Sequence, residues 1–123
     1  MGAPLPQADP RASSPSAMKD LFRALRGELE ARVDAGDDGL ALGAHHARRL
    51  DGILSDVFAR ARVATGLGPE LVALAAVGSY GRGAVALGSD ADVRVLVAQE
   101  VPRETAAAFG EALLYPLWDG GFP

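Results

Sequence analysis

Residues 71–97, LVALAAVGSYGRGAVALGSDADVRVLV, set two apolar runs on either side of a glycine-rich segment. Its first seven residues, Leu71-Val72-Ala73-Leu74-Ala75-Ala76-Val77, are apolar without a break and stop at Gly78, the pattern of a strand buried on both faces. A glycine-rich connection runs from Gly78 to Ser89. Then Asp90-Ala91-Asp92-Val93-Arg94-Val95-Leu96-Val97 reads as a second strand able to pair with the first. Side chains alternate along a strand, so Asp90 and Asp92 face the same way, about 6.5–7 Å apart along the backbone. Two carboxylates on one face are costly without a cation, and magnesium takes a few carboxylate oxygens together with waters and substrate phosphates. Gly78 lets the backbone come close to a polyphosphate, Ser79 offers it an N–H and a hydroxyl, and Arg82 adds positive charge. Alternation also puts Arg94 on the face of the aspartates, where it either pairs with Asp92 in competition with a metal or contacts phosphate. Taken singly, these features are common. Asp-x-Asp pairs at strand starts are often just solvated, and Gly78 to Gly83 fits neither the P-loop nor the dinucleotide-binding glycine pattern. The specificity lies in the order of the parts.

Upstream, Met18, Leu21, Phe22, Leu25, Leu29 and Val33 recur at three- and four-residue spacing and predict a helix ending near 34–36. The polar, glycine-bearing residues 36–43 break that pattern. In a second amphipathic helix Leu50, Ile53, Leu54, Val57, Phe58 and Ala61 share a face, and Thr65-Gly66-Leu67-Gly68-Pro69 closes it. His45 and His46, adjacent near its start, point about 100° apart on a helix and read as a surface pair rather than a metal site. Arg48 and Arg49 read as a solvated helix face. Downstream, Pro102 and Glu104 open a helix that Tyr115-Pro116 is expected to close, with Tyr115 and Trp118 packing on the sheet. Residues 1–17, with four of the eight prolines, read as a disordered tail. The expected organisation is therefore a tail over 1–17, a helical region over 18–66 and an α/β (α+β) core over 67–123.

Composition narrows the function. A chain of 123 residues holds one small domain, and 49% hydrophobic against 23% charged residues is a globular balance. Twelve Lys and Arg against sixteen Asp and Glu give a net charge of −4, which argues against a nucleic-acid backbone as partner. Without cysteine there is no disulfide, thiolate metal site or cysteine nucleophile, in keeping with a reducing compartment. No apolar run suits a membrane span and no signal-peptide pattern is present, so a cytoplasmic protein without membrane partners is expected.

The segment VGSYGRGAVALGSDADVRVLV, residues 77–97, resembles the nucleotidyltransferase signature of the bacterial PII-protein uridylyltransferases, in which a Gly-Gly or Gly-Ser turn, Tyr-Gly-Arg and Ser-Asp-x-Asp follow in that order. LLYPLWDGGF, residues 113–122, is similar to a segment that follows the Asp-x-Asp strand in the same family. The resemblance spans roughly residues 50–123. It implies a partial DNA polymerase β-like nucleotidyltransferase fold and magnesium-dependent transfer of UMP from UTP to a tyrosine of a PII-type signalling protein, in response to glutamine. By position it implies Asp90 and Asp92 as catalytic metal ligands, Gly78 and Ser79 as holders of the triphosphate, and Arg82 as a phosphate contact. A Gly-Ser turn followed by Gly-Arg also resembles the nucleotidyltransferase domains found beside CBS-pair modules, although Tyr80 and the 113–122 segment favour the first family.

Three departures qualify that expectation. Ala84 stands where the family usually has Glu, Arg94 stands in an otherwise aliphatic run, and the third carboxylate that the superfamily carries on a later strand has no counterpart here. The length suggests a fragment of a longer enzyme, one that binds a magnesium-nucleotide weakly and turns over poorly by itself. The same departures suit an alternative from another class, a degenerate, non-catalytic binding module.

Overall fold

A computed structural model describes residues 15–122. Four helices and two strands follow in the order α1 (Pro15–Asp34), α2 (Gly39–Thr65), β1 (Val72–Val77), α3 (Gly78–Gly81), β2 (Asp92–Val97) and α4 (Arg103–Gly120). This is the mixed α/β class expected. The first helix begins at Pro15, three residues before the expected start at Met18. A proline costs nothing in a first turn, because its missing N–H has no intrahelical acceptor there. The rest of the expected tail, residues 1–14, lies outside the described residues.

Helix α2 also starts earlier than its apolar face suggests, taking in residues 39–43 of the supposed break. The cause is a cap: the Asp38 carboxylate accepts from the Leu40 N–H at 2.9 Å, a satisfaction of end groups that outweighs the low helix propensity of Gly39 and Gly43. Its far end matches expectation, with Gly66 left-handed at φ 70°. Helix α4 runs through Pro116 to Gly120 instead of closing at Tyr115-Pro116. Phe109, Leu113 and Leu117, fully buried on one side of it, supply packing that offsets the hydrogen bond the proline cannot make. Phe109 meets Phe58 of α2 edge to face, with ring centroids 5.7 Å apart. Helix α4 packs on both α1 and α2, so close to α1 that a Cβ at Gly120 would come within 2.6 Å of Met18 Cβ. Tyr115 and Trp118 lean on each other at 6.1 Å and stay exposed, which corrects the expectation that they pack on the sheet.

The strands pair directly and antiparallel, with Val72 opposite Val97 and Val77 opposite Asp92. They form a two-stranded sheet among the described residues. Only one of its faces is covered. Val93, Val95 and Val97 turn toward the core, whereas Asp92, Arg94 and Leu96 alternate outward. In β1 Val72 is buried on the core side, whereas Ala73 and Ala75, opposite Leu96 and Arg94 on the outer face, are exposed and half-buried, so the expected burial of that strand on both faces is wrong. Its uniform apolarity reflects small alanines on the open face rather than a second covering layer.

Candidate functional site

The site elements diverge from one tight corner at the end of β1. Val77 pairs with Asp92, and the next residue, Gly78, leaves the strand at φ 60° to start the single helical turn α3. An L side chain resists that backbone, and the space is closed as well: a Cβ at Gly78 would stand 3.3 Å from Asp92 Oδ2. Gly81 is equally constrained, because a Cβ there would lie 2.8 Å from the Ala76 carbonyl oxygen. The glycines expected to admit a phosphate are thus required first by the chain's own turn.

Around this corner the structure brings together Gly78 with Asp92 and Ser79 with Arg82, whose Nη2 donates to Ser79 Oγ at 3.3 Å. Asp92 opens β2, while Asp90 lies in the preceding loop rather than on the strand as expected. Both are exposed and flank the buried Ala91, so both project away from the core. Asp90 nevertheless belongs to a separate cleft, lined on its other side by α1. Arg94 shares the outer face with Asp92 as alternation requires, but its Nη1 donates to the Val93 carbonyl at 3.1 Å and it makes no ion pair with Asp92.

Two residues to which the sequence assigned no such role, Tyr80 and His46, hold the corner in place. Tyr80 of α3 is buried, and its hydroxyl donates to Asp51 Oδ1 of α2 at 2.7 Å. Burial, reinforced by the Asp51 carboxylate, pushes the phenol pKa well above its usual value. No local pattern joins positions 29 apart in sequence. His46 is buried too, and its Nδ1 lies 3.0 Å from the Val85 carbonyl oxygen, while the Val85 N–H donates to the Gly43 carbonyl at 3.0 Å. The loop after α3 is therefore strapped to α2. Burial lowers the His46 pKa, so the neutral ring donates from Nδ1 to Val85. The surface-pair reading of the histidines fails here for a legible reason, since His46 falls four residues from both Leu42 and Leu50 on the apolar face. His45, half-buried, has Nε2 3.4 Å from Glu28 Oε2 without hydrogen-bonding geometry. Arg49, expected to be merely solvated, donates to that same carboxylate at 3.0 Å, and this bond holds the Glu28 pKa below its usual value.

Asp90 and Asp92 are two exposed carboxylates; a magnesium ion held by such a pair would fill its shell with water and phosphate oxygens. Among the described residues no group of three or more His, Cys, Asp or Glu is placed to hold a metal. No helix among them is long and apolar enough to cross a membrane.

No family model matches the chain, and no solved structure matches it. Over 78 residues, 63% of its length, the chain is 37% identical to a bifunctional uridylyltransferase/uridylyl-removing enzyme from Thiobacillus denitrificans (strain ATCC 25259 / T1). The match takes in 8% of that relative's length.

Proposed function

We propose that the chain carries a nucleotidyltransferase-type site, with a magnesium-bound nucleoside triphosphate, UTP, as its ligand and a PII-type protein as the acceptor of UMP. The observation that carries this reading is the similarity to a uridylyltransferase. The corner where Gly78 and Asp92 meet supports it. Asp90 and Asp92 would hold the magnesium ion, which when bound neutralises triphosphate charge. Gly78, with no side chain, admits the phosphates to the backbone; the Ser79 hydroxyl can donate to a phosphate oxygen. Arg82 is already within reach of Ser79 and would pair with the same phosphates. Tyr80, tied to Asp51, positions the turn that presents Ser79 and Arg82. In the transfer itself an acceptor oxygen bonds to the α-phosphorus as the bond to pyrophosphate breaks.

One observation favours a second reading, binding without efficient turnover: two acidic ligands and no third among the described residues. Both readings face the same titration. Calorimetry of the chain with UTP should show binding that needs magnesium and is lost in Asp92→Asn. Binding unaffected by chelation or by that substitution would remove the site. Robust transfer by the isolated chain would discard the second reading, and UTP binding no tighter than ATP or GTP would discard the uridylyl assignment.

A further inference from the structure

A second cleft, about 470 Å³ in volume, opens between α1, the 87–90 loop and the end of α4. Its charges are sorted by wall. Lys19, Arg23 and Arg26 stand on α1, and Asp90 on the loop opposite. Spacings of four and three residues put those cations on one helical edge. Arg23 is engaged only by Asp20 at 3.6 Å and Arg26 by Glu30 at 3.1 Å, both on the exposed surface of the same helix. Neither Lys19 nor Asp90 has an ion-pair partner among the described residues, although opposite charges line the same space. His46 of α2 also lines it. Its Nδ1 is taken by Val85, which leaves Nε2 as the remaining, hydrogen-accepting nitrogen of the neutral ring. Between the two walls the lining is apolar, with Phe22, Leu29 and Leu87.

We infer that this cleft is a binding site for a small zwitterion with an apolar body, such as a free α-amino acid with an aromatic or branched aliphatic side chain. The carboxylate lies toward Lys19, Arg23 and Arg26. The ammonium is directed to Asp90, with His46 as a second acceptor, and the side chain rests on Phe22, Leu29 and Leu87. A simple anion would meet Asp90 unpaired, and a simple cation would meet three positive charges. A ligand carrying both charges can pair with both walls at once and gain a charge-assisted hydrogen bond at each. The volume falls within the range of small-molecule pockets, roughly 300–1,000 Å³.

The cleft shares Asp90 with the magnesium pair of the transferase reading, so its test uses neither nucleotide nor magnesium and can fail or succeed whatever becomes of that reading. L-Phenylalanine, 3-phenylpropionate and phenethylamine share one ring and differ only in which charges they carry. Calorimetric titration of the full chain, with the His46 ring proton followed by NMR, should show L-phenylalanine binding about tenfold or more tighter than either single-charge analogue, the scale of one charge-assisted hydrogen bond. The His46 signal should move as it binds. In Asp90→Asn the preference over 3-phenylpropionate should disappear, and in a Lys19→Gln, Arg23→Gln double variant the preference over phenethylamine should disappear. Asp92→Asn, a change outside the cleft, should alter neither. The inference is overturned by no measurable binding of L-phenylalanine, by equal affinity for the zwitterion and an analogue, or by preferences that survive both sets of substitutions.

Discussion

Replacing Tyr80 by Phe tests whether the glycine-rich corner is held by its link to α2. The perturbation removes one oxygen from a buried ring and leaves the packing almost intact. What is lost is an O–H to carboxylate bond of 2.7 Å to Asp51. Hydrogen bonds to charged groups are worth about 1.5–3 kcal/mol when the partner stays buried. Asp51 is exposed, so water recovers its freed oxygen and the loss should be nearer about 1 kcal/mol. The pH dependence sharpens the test. The phenol pKa is raised in the folded chain, so above the unfolded value of about 10 the native state holds a proton that the unfolded chain has released. Stability from this group is complete below pH ~10 and falls as pH rises beyond it, by up to about 1.4 kcal/mol per pH unit. Urea unfolding at neutral pH should find Tyr80→Phe less stable by about 1 kcal/mol. Between about pH 10 and 11 the wild-type advantage should shrink to nothing, because the variant lacks the titrating group and other groups act equally on both. Parallel pH profiles for the two proteins, or a Phe variant as stable as the wild type at neutral pH, would mean that the Tyr80–Asp51 bond does not support the corner.

Other substitutions probe the remaining supports. Gly78→Ala places a Cβ in a left-handed position 3.3 Å from Asp92 Oδ2. It should cost about 1 kcal/mol or more in thermal unfolding and weaken magnesium-UTP binding as the carboxylate is displaced. His46→Gln loosens the strap on Val85, so hydrogen exchange at the Val85 amide should accelerate. Because the His46 pKa is lowered in the folded chain, its stability contribution is present above the unfolded value of about 6.5 and lost as pH falls through the folded one. The wild type should lose stability across that window and His46→Gln should stay flat; identical slopes in denaturant melts would contradict this. Phe109→Ala empties the contact between α4 and α2 and should cost about 3–5 kcal/mol by urea unfolding, enough to unfold a marginal domain.

What could be read in the sequence was whatever depends on neighbours in the chain. Of the stripe expected on α1, Met18, Leu25 and Leu29 are buried and Phe22 is half-buried where spacing put them, although Leu21 and Val33 stay exposed; the left-handed glycine at 66 ends α2 as a cap should, and the run before Gly78 pairs with the run from Asp92. The order of Gly78, Ser79, Arg82, Asp90 and Asp92 is likewise a property of the chain. Tertiary structure decided the rest. Burial of Phe109, Leu113 and Leu117 carried α4 through a proline that local rules would make a stop. A sheet of two strands with one covered face left β1 half open despite its apolar sequence. Contacts between residues 29 and 39 apart tied Tyr80 to Asp51 and His46 to Val85, and the approach of α1 made Asp90 part of a cleft. Periodicity reports which side of an element turns inward; which element it meets there is set by the packing of distant segments, and no spacing in the chain encodes that.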